Sequence, residues 1–175
     1  PNDVVVRSDG TVFFTDPPYG LEGGLDGPNA ELKFAGVFSV NTKGEVKCLV
    51  RDFKKPNGLA FSPDEKTLYV ADTEGNIIRA FDVAPDGSLS KDRVFSSIPH
   101  PDGMKVDTEG HVWSTGEGGI HVFSPTGERL QLIPIPQQTT NCAFGEADGK
   151  TLFITTPKAV YRVNTTVAGI LPGPK

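Results

Sequence analysis

The chain has 175 residues and a formal net charge of −5, from 17 basic and 22 acidic side chains. A chain of this length buries a substantial core as about one domain, and its acidic balance offers no basic surface for nucleic acid or for an anionic membrane. Its apolar runs, such as Val4–Val6 and Leu152–Ile154, are far shorter than the roughly 20 residues that span a bilayer. The sequence predicts a soluble globular protein without a nucleic-acid or membrane partner, and it leaves the oligomeric state and the compartment open.

Four segments in chain order share one pattern: an apolar strand, a turn rich in Asp, Pro and Gly, and a second strand rich in β-branched and aromatic residues. The segments begin at Pro1, Pro56, Pro101 and Thr140, at intervals of 55, 45 and 39 residues. Intervals of this size match the length of a propeller blade. The second strands are predicted over residues 11–16, 67–72, 111–115 and 151–156.

A third strand follows in every repeat and a fourth in the first three, so the last repeat lacks its outer strand. The third strands are predicted over 36–40, 77–83, 120–124 and 160–163, and the fourth over 46–50, 93–96 and 129–133. Four antiparallel strands in each repeat are what a propeller blade requires. The sequence therefore predicts an all-β, partial β-propeller domain over 1–175, with about four blades present and the N-terminal blades missing. A closed ring of four blades is the alternative.

One position at the start of each inner strand is predicted to face the same end of the channel. The first strand of every blade lines the channel of a propeller, so residues at its start converge around the axis. Amide and carboxylate oxygens suit Ca²⁺, Mg²⁺ or Mn²⁺. From the repeat alone the set is either a metal site or a ring of turn residues around water, because Pro-Asn-Gly and Pro-Asp-Gly are ordinary turn sequences. The residues at this position are Asn2, Asn57, Asp102 and Asn141.

Three stretches resemble the family that holds gluconolactonase, senescence marker protein 30, luciferin-regenerating enzyme and related lactonases. They begin with Phe-Thr-Asp-Pro-Pro-Tyr at Phe14, Pro-Asn-Gly-Leu-Ala-Phe at Pro56 and Pro-Asp-Gly-Met-Lys-Val at Pro101. The resemblance extends from Pro1 to about Val163. It implies a six-bladed β-propeller and a metal-dependent hydrolase that opens small sugar-type lactones to hydroxy acids, as a gluconolactonase does.

The resemblance also implies one divalent ion at the channel mouth, with Ca²⁺ as the first expectation and Zn²⁺, Mg²⁺ or Mn²⁺ as alternatives. Asn57 and Asp102 match two metal ligands of the family, and the third, a Glu of the first blade, would lie upstream of this sequence. Asn2 matches an Asn that faces both the ion and the substrate, and Asn141 would orient substrate hydroxyls or the developing oxyanion. Asp102 is the first candidate for the general base, although a carboxylate bound to a cation is a poor base.

Three further residues are candidate substrate contacts. Asp16 and Tyr19 begin a polar, Gly-rich insertion that extends to about Phe34, where the other repeats have short loops. Long loops often act as lids, and by resemblance Tyr19 would stack against or hydrogen-bond a sugar-like ring. His100, beside Asp102, is a candidate proton carrier. Each of the three also has a plainer interpretation as a surface or turn residue.

Two other functions fit the same features. A Lewis-acidic ion also serves phosphoryl chemistry, so an organophosphate esterase would use the same site. A non-catalytic propeller that acts as a binding scaffold would hold only water or a structural ion in its channel. The sequence contains neither a Gly-x-Ser-x-Gly motif nor a phosphate-binding loop, so it does not support a serine nucleophile or nucleotide chemistry.

Overall fold

The computed structural model describes residues 1–170, which form four antiparallel β-sheets whose strands are hydrogen-bonded in chain order. The first sheet contains β1 (Val4–Val6), β2 (Val12–Asp16), β3 (Ala35–Val40) and β4 (Val46–Phe53). The second contains β5 (Pro56–Phe61), β6 (Thr67–Asp72), β7 (Ile77–Val83) and β8 (Leu89–Ser97). The third contains β9 (Met104–Val106), β10 (Val112–Gly116), β11 (Gly119–Phe123) and β12 (Arg129–Pro134), and the fourth contains β13 (Asn141–Gly145), β14 (Thr151–Thr155) and β15 (Val160–Asn164).

The sheets are propeller blades that pack face to face, with a hydrophobic core between each neighbouring pair. Side chains alternate between the two faces of a strand, and β6 shows the consequence. Leu68 and Val70 pack in the core shared with the first blade, whereas Tyr69 and Ala71 pack in the core shared with the third. Burial on both faces explains why this strand is a continuous apolar run. The prediction of an all-β propeller with four blades in the chain is confirmed.

The inner strands β1, β5, β9 and β13 contact one another in this order and therefore run side by side around the channel. In three blades a threonine near the end of the second strand fixes the start of the inner strand through its hydroxyl group. The second blade has Ala71 at this position. The three hydroxyl–backbone pairs are Thr15 with Asp3 (3.1 Å), Thr115 with Gly103 (3.0 Å) and Thr155 with Asn141 (3.1 Å).

The insertion between β2 and β3 folds over the edge of the first blade. It contains a short 3-10 helix, Gly24–Asp26. Phe34 anchors its end, because this ring stacks on Phe38 of β3 at a centroid distance of 6.2 Å and lies under the guanidinium of Arg51 at 5.1 Å. No helix within 1–170 is long and apolar enough to cross a membrane.

Candidate functional site at the channel mouth

The threonine contacts define which residues are equivalent in the four blades. Since Thr15, Thr115 and Thr155 occupy the same place, their partner Asn141 is equivalent to Asp3 and Gly103. The alignment that grouped Asn141 with the other candidates was therefore wrong by one residue, because Thr-Asn in the fourth blade mimics Pro-Asn in the others. The residues that share the predicted position, one in each blade, are Asn2, Asn57, Asp102 and Thr140.

The second and third blades approach each other closely where Asn57 meets Asp102. The backbone N–H of Gly58 donates to the carbonyl oxygen of Asp102 at 3.1 Å. A Cβ atom on Gly58 would lie 2.2 Å from the same oxygen, so only glycine fits. Pro56 and Asn57 belong to β5 and Gly58 has no positive φ. The interpretation of this stretch as a turn is therefore wrong, since its glycine permits close approach of two strands.

The same arrangement continues between the third and fourth blades. A Cβ atom on Gly103 would lie 2.2 Å from Oδ1 of Asn141, so the Asn141 side chain crosses directly over this glycine. The Oδ1 atom of Asn141 also accepts from the backbone N–H of Cys142 at 2.8 Å. Asn141 is thus brought to the same end of the channel as Asp102, although it comes from a different register position.

Asp102 has an unusual electrostatic environment. Burial raises the pKa of its carboxyl group from 3.8 to about 6, a hydrogen bond from the side chain of Asn57 opposes this rise, and the negative charge of Asp3 adds to it. A carboxylate that is both desolvated and repelled by a second carboxylate is stabilised by a cation. The channel mouth is therefore a favourable place for a positive ion.

Asp3 is a residue of this site that the sequence analysis missed. Its Oδ1 accepts from the backbone N–H of Val4 at 2.8 Å and its Oδ2 from that of Leu59 at 3.3 Å, so the carboxylate links the first two inner strands. The signal was present in the repeat. Asp3 occupies the position that is glycine in the next two blades, so the first blade carries a charged side chain where Gly58 and Gly103 carry none.

The raised pKa of Asp102 predicts a pH dependence of stability in the protein without divalent ions. Between pH 3.8 and about 6 the folded protein binds this proton more tightly than the unfolded chain does. The contribution of Asp102 to the free energy of unfolding therefore decreases as the pH rises through this window. Urea unfolding of the wild type and of Asp102→Asn at several pH values measures the difference. A difference that is constant from pH 4 to pH 7 would contradict this assignment.

Asn57 presents one free ligand atom. Its side chain is 5% exposed, and its Nδ2 donates to the hydroxyl oxygen of Thr73 at 3.0 Å. None of the hydrogen bonds found among residues 1–170 uses its Oδ1. An amide oxygen beside a carboxylate of raised pKa fits a hard divalent cation. Within the described part of the chain there is no cluster of three or more His, Cys, Asp or Glu side chains, so this pair would be part of a ligand set.

A cleft of about 350 Å³ lies beside the channel mouth, under the insertion. Asn2, Asp16 and Tyr19 all line it, so these three candidate residues are brought together. The ring of Tyr19 is 44% exposed and lies 5.8 Å from Nζ of Lys55. An exposed aromatic ring in a cleft lined by both apolar and polar side chains can receive the apolar face of a sugar-like ring. Asn57 and Asp102 do not line this cleft.

His100 makes its described contacts with Asn76 and Glu117 and not with Asn57 or Asp102. Its side chain is 69% exposed, and its Nδ1 lies 3.9 Å from Oε2 of Glu117 on the surface. Its backbone N–H donates to Oδ1 of Asn76 at 2.9 Å and its φ is 48°, so the loop holds the residue in a left-handed conformation. The described contacts do not bring this imidazole to Asp102, despite their closeness in sequence.

Comparison with known proteins gives a family for this arrangement. The sequence model of the SMP-30/Gluconolactonase/LRE-like region matches residues 1–158. A gluconolactonase of Zymomonas mobilis is 35% identical over 97% of this chain and 51% of its own length. The chain thus spans about half the length of this curated relative.

Two solved structures share the fold over nearly the whole chain. A gluconolactonase of Xanthomonas campestris superposes with a TM-score of 0.82 at 38% identity, covering 97% of this chain and 57% of that one. A calcium-binding regucalcin of Agrobacterium tumefaciens superposes with a TM-score of 0.78 at 25% identity, covering 97% and 62%. The family model matches residues 1–158, and both structural similarities agree with that match. The chain belongs to the SMP-30/gluconolactonase/LRE-like family of β-propeller proteins.

Proposed function

We propose that this chain is part of a divalent-metal-dependent hydrolase that opens sugar-type lactones to hydroxy acids. The observation that carries the proposal is the pairing of Asn57 with Asp102 on neighbouring inner strands. One offers an amide oxygen free of hydrogen bonds and the other a carboxyl group whose pKa is raised to about 6. The similarity to gluconolactonases, which covers almost the whole chain, supports the same substrate class.

We infer that the chain supplies about four of the six blades of a closed ring, and its coverage of 57% and 62% of the two solved structures supports a chain that is part of a larger ring. Asn57 and Asp102 are two ligands of a single ion, and a Glu from the remaining blades is the third. Two carboxylates then balance the charge of a divalent cation. Ca²⁺ is the first choice because all three ligands are hard oxygen donors, and the similarity to a calcium-binding regucalcin supports it.

In this proposal a bound ion supplies a Lewis acid for the lactone carbonyl and increases the acidity of a water molecule. The residues of the chain position the reactants. Asn2 lines the cleft and holds the same position in its blade as Asn57 and Asp102 do in theirs, so in this proposal its amide orients the lactone and stabilises charge that develops on the carbonyl oxygen. Tyr19 and Asp16 contact the ring and hydroxyl groups from the cleft wall. Asp102 accepts a proton from water during attack only if its second oxygen is free of the ion.

Lactone hydrolysis that depends on a divalent ion is the expected result. The rate of gluconolactone opening, measured by pH-stat after treatment with a chelator, should fall to the uncatalysed rate. It should return on addition of Ca²⁺, Zn²⁺, Mg²⁺ or Mn²⁺, and the most effective ion identifies the metal. A protein that hydrolyses no lactone with any of these ions would be a binding scaffold. Faster turnover of a phosphotriester than of any lactone would instead indicate an organophosphate esterase.

A further inference from the structure

The second blade departs from the threonine pattern of the other three. Ala71 stands where the first, third and fourth blades have a threonine that holds the inner strand. Two residues later, Thr73 carries a hydroxyl that contacts two blades: it accepts from Nδ2 of Asn57 at 3.0 Å and donates to the carbonyl oxygen of Pro101 at 2.6 Å. The hydroxyl is thus moved from a contact with its own inner-strand backbone to a contact with the Asn57 side chain.

We propose that Thr73 is a positioning residue that determines which atom of the Asn57 amide is presented to a metal ion. The inference rests on the proposed function, in which Asn57 is a ligand. The role is specific to the second blade, because in the other blades the corresponding hydroxyl bonds only to backbone atoms of the inner strands or, in the fourth blade, also to the hydroxyl of Thr140.

The direction of two hydrogen bonds, from Thr73 to Pro101 and from Asn57 to Thr73, determines the orientation of the Asn57 amide. The carbonyl oxygen of Pro101 can only accept, so the single hydroxyl hydrogen of Thr73 is committed to it. The hydroxyl oxygen of Thr73 can therefore act only as an acceptor towards Asn57. The atom of Asn57 that faces Thr73 must then be Nδ2, which donates, and Oδ1 is turned away. One backbone carbonyl in the third blade thereby sets the orientation of a side chain in the second.

This orientation matters because only one of the two orientations can bind a cation. The two ends of an amide have nearly the same size and shape, so packing alone does not distinguish them. Without an ion, the Asp102 carboxylate accepts a hydrogen bond from the Asn57 side chain and favours the same orientation. When an ion engages that carboxylate, the Thr73 hydroxyl is the acceptor that still holds Nδ2. With Nδ2 directed at the ion, the amide would present hydrogen atoms of partial positive charge. Asn57 is 5% exposed, so water has little access to compensate for a reversed amide. Groups that hold a ligand in its binding orientation typically contribute 10–100-fold to metal affinity.

Thr73 is itself held firmly, as a positioning residue must be. Its backbone N–H donates to the carbonyl oxygen of Lys55 at 3.0 Å. The neighbouring Asp72 is 4% exposed, and its carboxylate accepts from the backbone N–H groups of Lys54, Lys55 and Gly75 at 2.9–3.0 Å. These bonds join the loop before β5 to the end of β6. The hydroxyl of Thr73 therefore has a fixed position relative to Asn57.

The test compares Thr73→Val, which keeps the shape but removes the hydroxyl, with Thr73→Ser, which retains it. Calorimetric titration of the intact protein with Ca²⁺ should give about 10-fold weaker binding for the Val variant and restored binding for the Ser variant. Thr155→Val is the matched control, because it removes the corresponding hydroxyl of the fourth blade. Its Ca²⁺ affinity should equal that of the wild type.

A second measurement requires no metal. In the chelated protein, the Asn57 side-chain NH₂ resonances should exchange slowly with solvent in the wild type and in Thr73→Ser, and faster in Thr73→Val. Unchanged Ca²⁺ affinity and unchanged exchange in Thr73→Val would overturn the inference while leaving the lactonase proposal intact. A wild type that neither binds a divalent ion nor opens lactones would refute the proposed function, and the exchange rates would still decide whether Thr73 orients the amide.

Discussion

Asp102→Asn in the intact protein is expected to lose both its metal ion and its lactonase activity. Asp102 is the anionic member of the Asn57–Asp102 pair, and replacing it with an amide of the same size removes about half of the ligand charge. Because the affinity of oxygen sites for Ca²⁺ depends on the number of charged ligands, binding should weaken on the order of 100-fold. Turnover at a fixed metal concentration should fall in proportion. Elemental analysis and pH-stat rates at one fixed, sub-saturating Ca²⁺ concentration measure the two effects.

Two related variants are expected to have smaller effects on metal binding than Asp102→Asn has. Asn57→Ala removes a neutral oxygen and should weaken metal binding less than Asp102→Asn does. Asn2→Ala should leave the metal content nearly unchanged and raise KM, because Asn2 lines the cleft in which we propose that the lactone binds. The metal-free Asp102→Asn protein should be at least as stable as the wild type at neutral pH, since it lacks a buried charge. An Asp102→Asn protein that keeps its metal and its rate would refute the site.

The sequence predicts the blades well because their pattern is local. Turn residues and β-branched strands recur at blade-length intervals, and a strand such as β6 carries a continuous apolar run that needs no tertiary information to recognise. The equivalence of Asn2, Asn57 and Asp102 follows from the same repeat. Asn141 was misplaced because a register shift of one residue leaves the composition of a short motif almost unchanged, and only the strand pairing reveals it.

The parts of the site that escaped prediction depend on contacts between blades. Asp3 acts on Asp102 across the channel, and the sequence separation of the two residues gives no sign of it. Thr73 is recognisable only after its partners Asn57 and Pro101 are seen on either side of it. His100 stays a prediction, because its described contacts are with Asn76 and Glu117 and closeness in sequence to Asp102 does not by itself bring its imidazole into the site. Sequence repeats identify positions, whereas hydrogen-bond direction and charge coupling require coordinates.

Gly58→Ala should give the second large effect, a loss of stability. The second and third blades approach each other at this glycine, so an added methyl group should push their backbones apart and disrupt the site. The added Cβ would lie 2.2 Å from the carbonyl oxygen of Asp102, 2.8 Å from Cα of Gly103 and 2.9 Å from the backbone nitrogen of Met104. All three are backbone atoms, so no side-chain rotation can relieve the overlap and the blades must separate. The cost should be about 3 kcal/mol or more, with loss of the hydrogen bond from Gly58 to Asp102.

Urea unfolding of Gly58→Ala measures this cost, and Gly44→Ala is the control. Gly44 has a φ of 82° and no atom within 4 Å of an added Cβ, so its substitution tests only the conformational penalty of about 1 kcal/mol. If both variants lose the same stability, the penalty is a general one of replacing glycine and the blades are not in close contact at Gly58. The other outcome is that Gly58→Ala alone is strongly destabilised and also binds Ca²⁺ more weakly. The close approach of the two strands then determines the geometry of the proposed metal ligands. The reason is that Asn57 and Asp102 can pair only where the backbone between them carries no side chain.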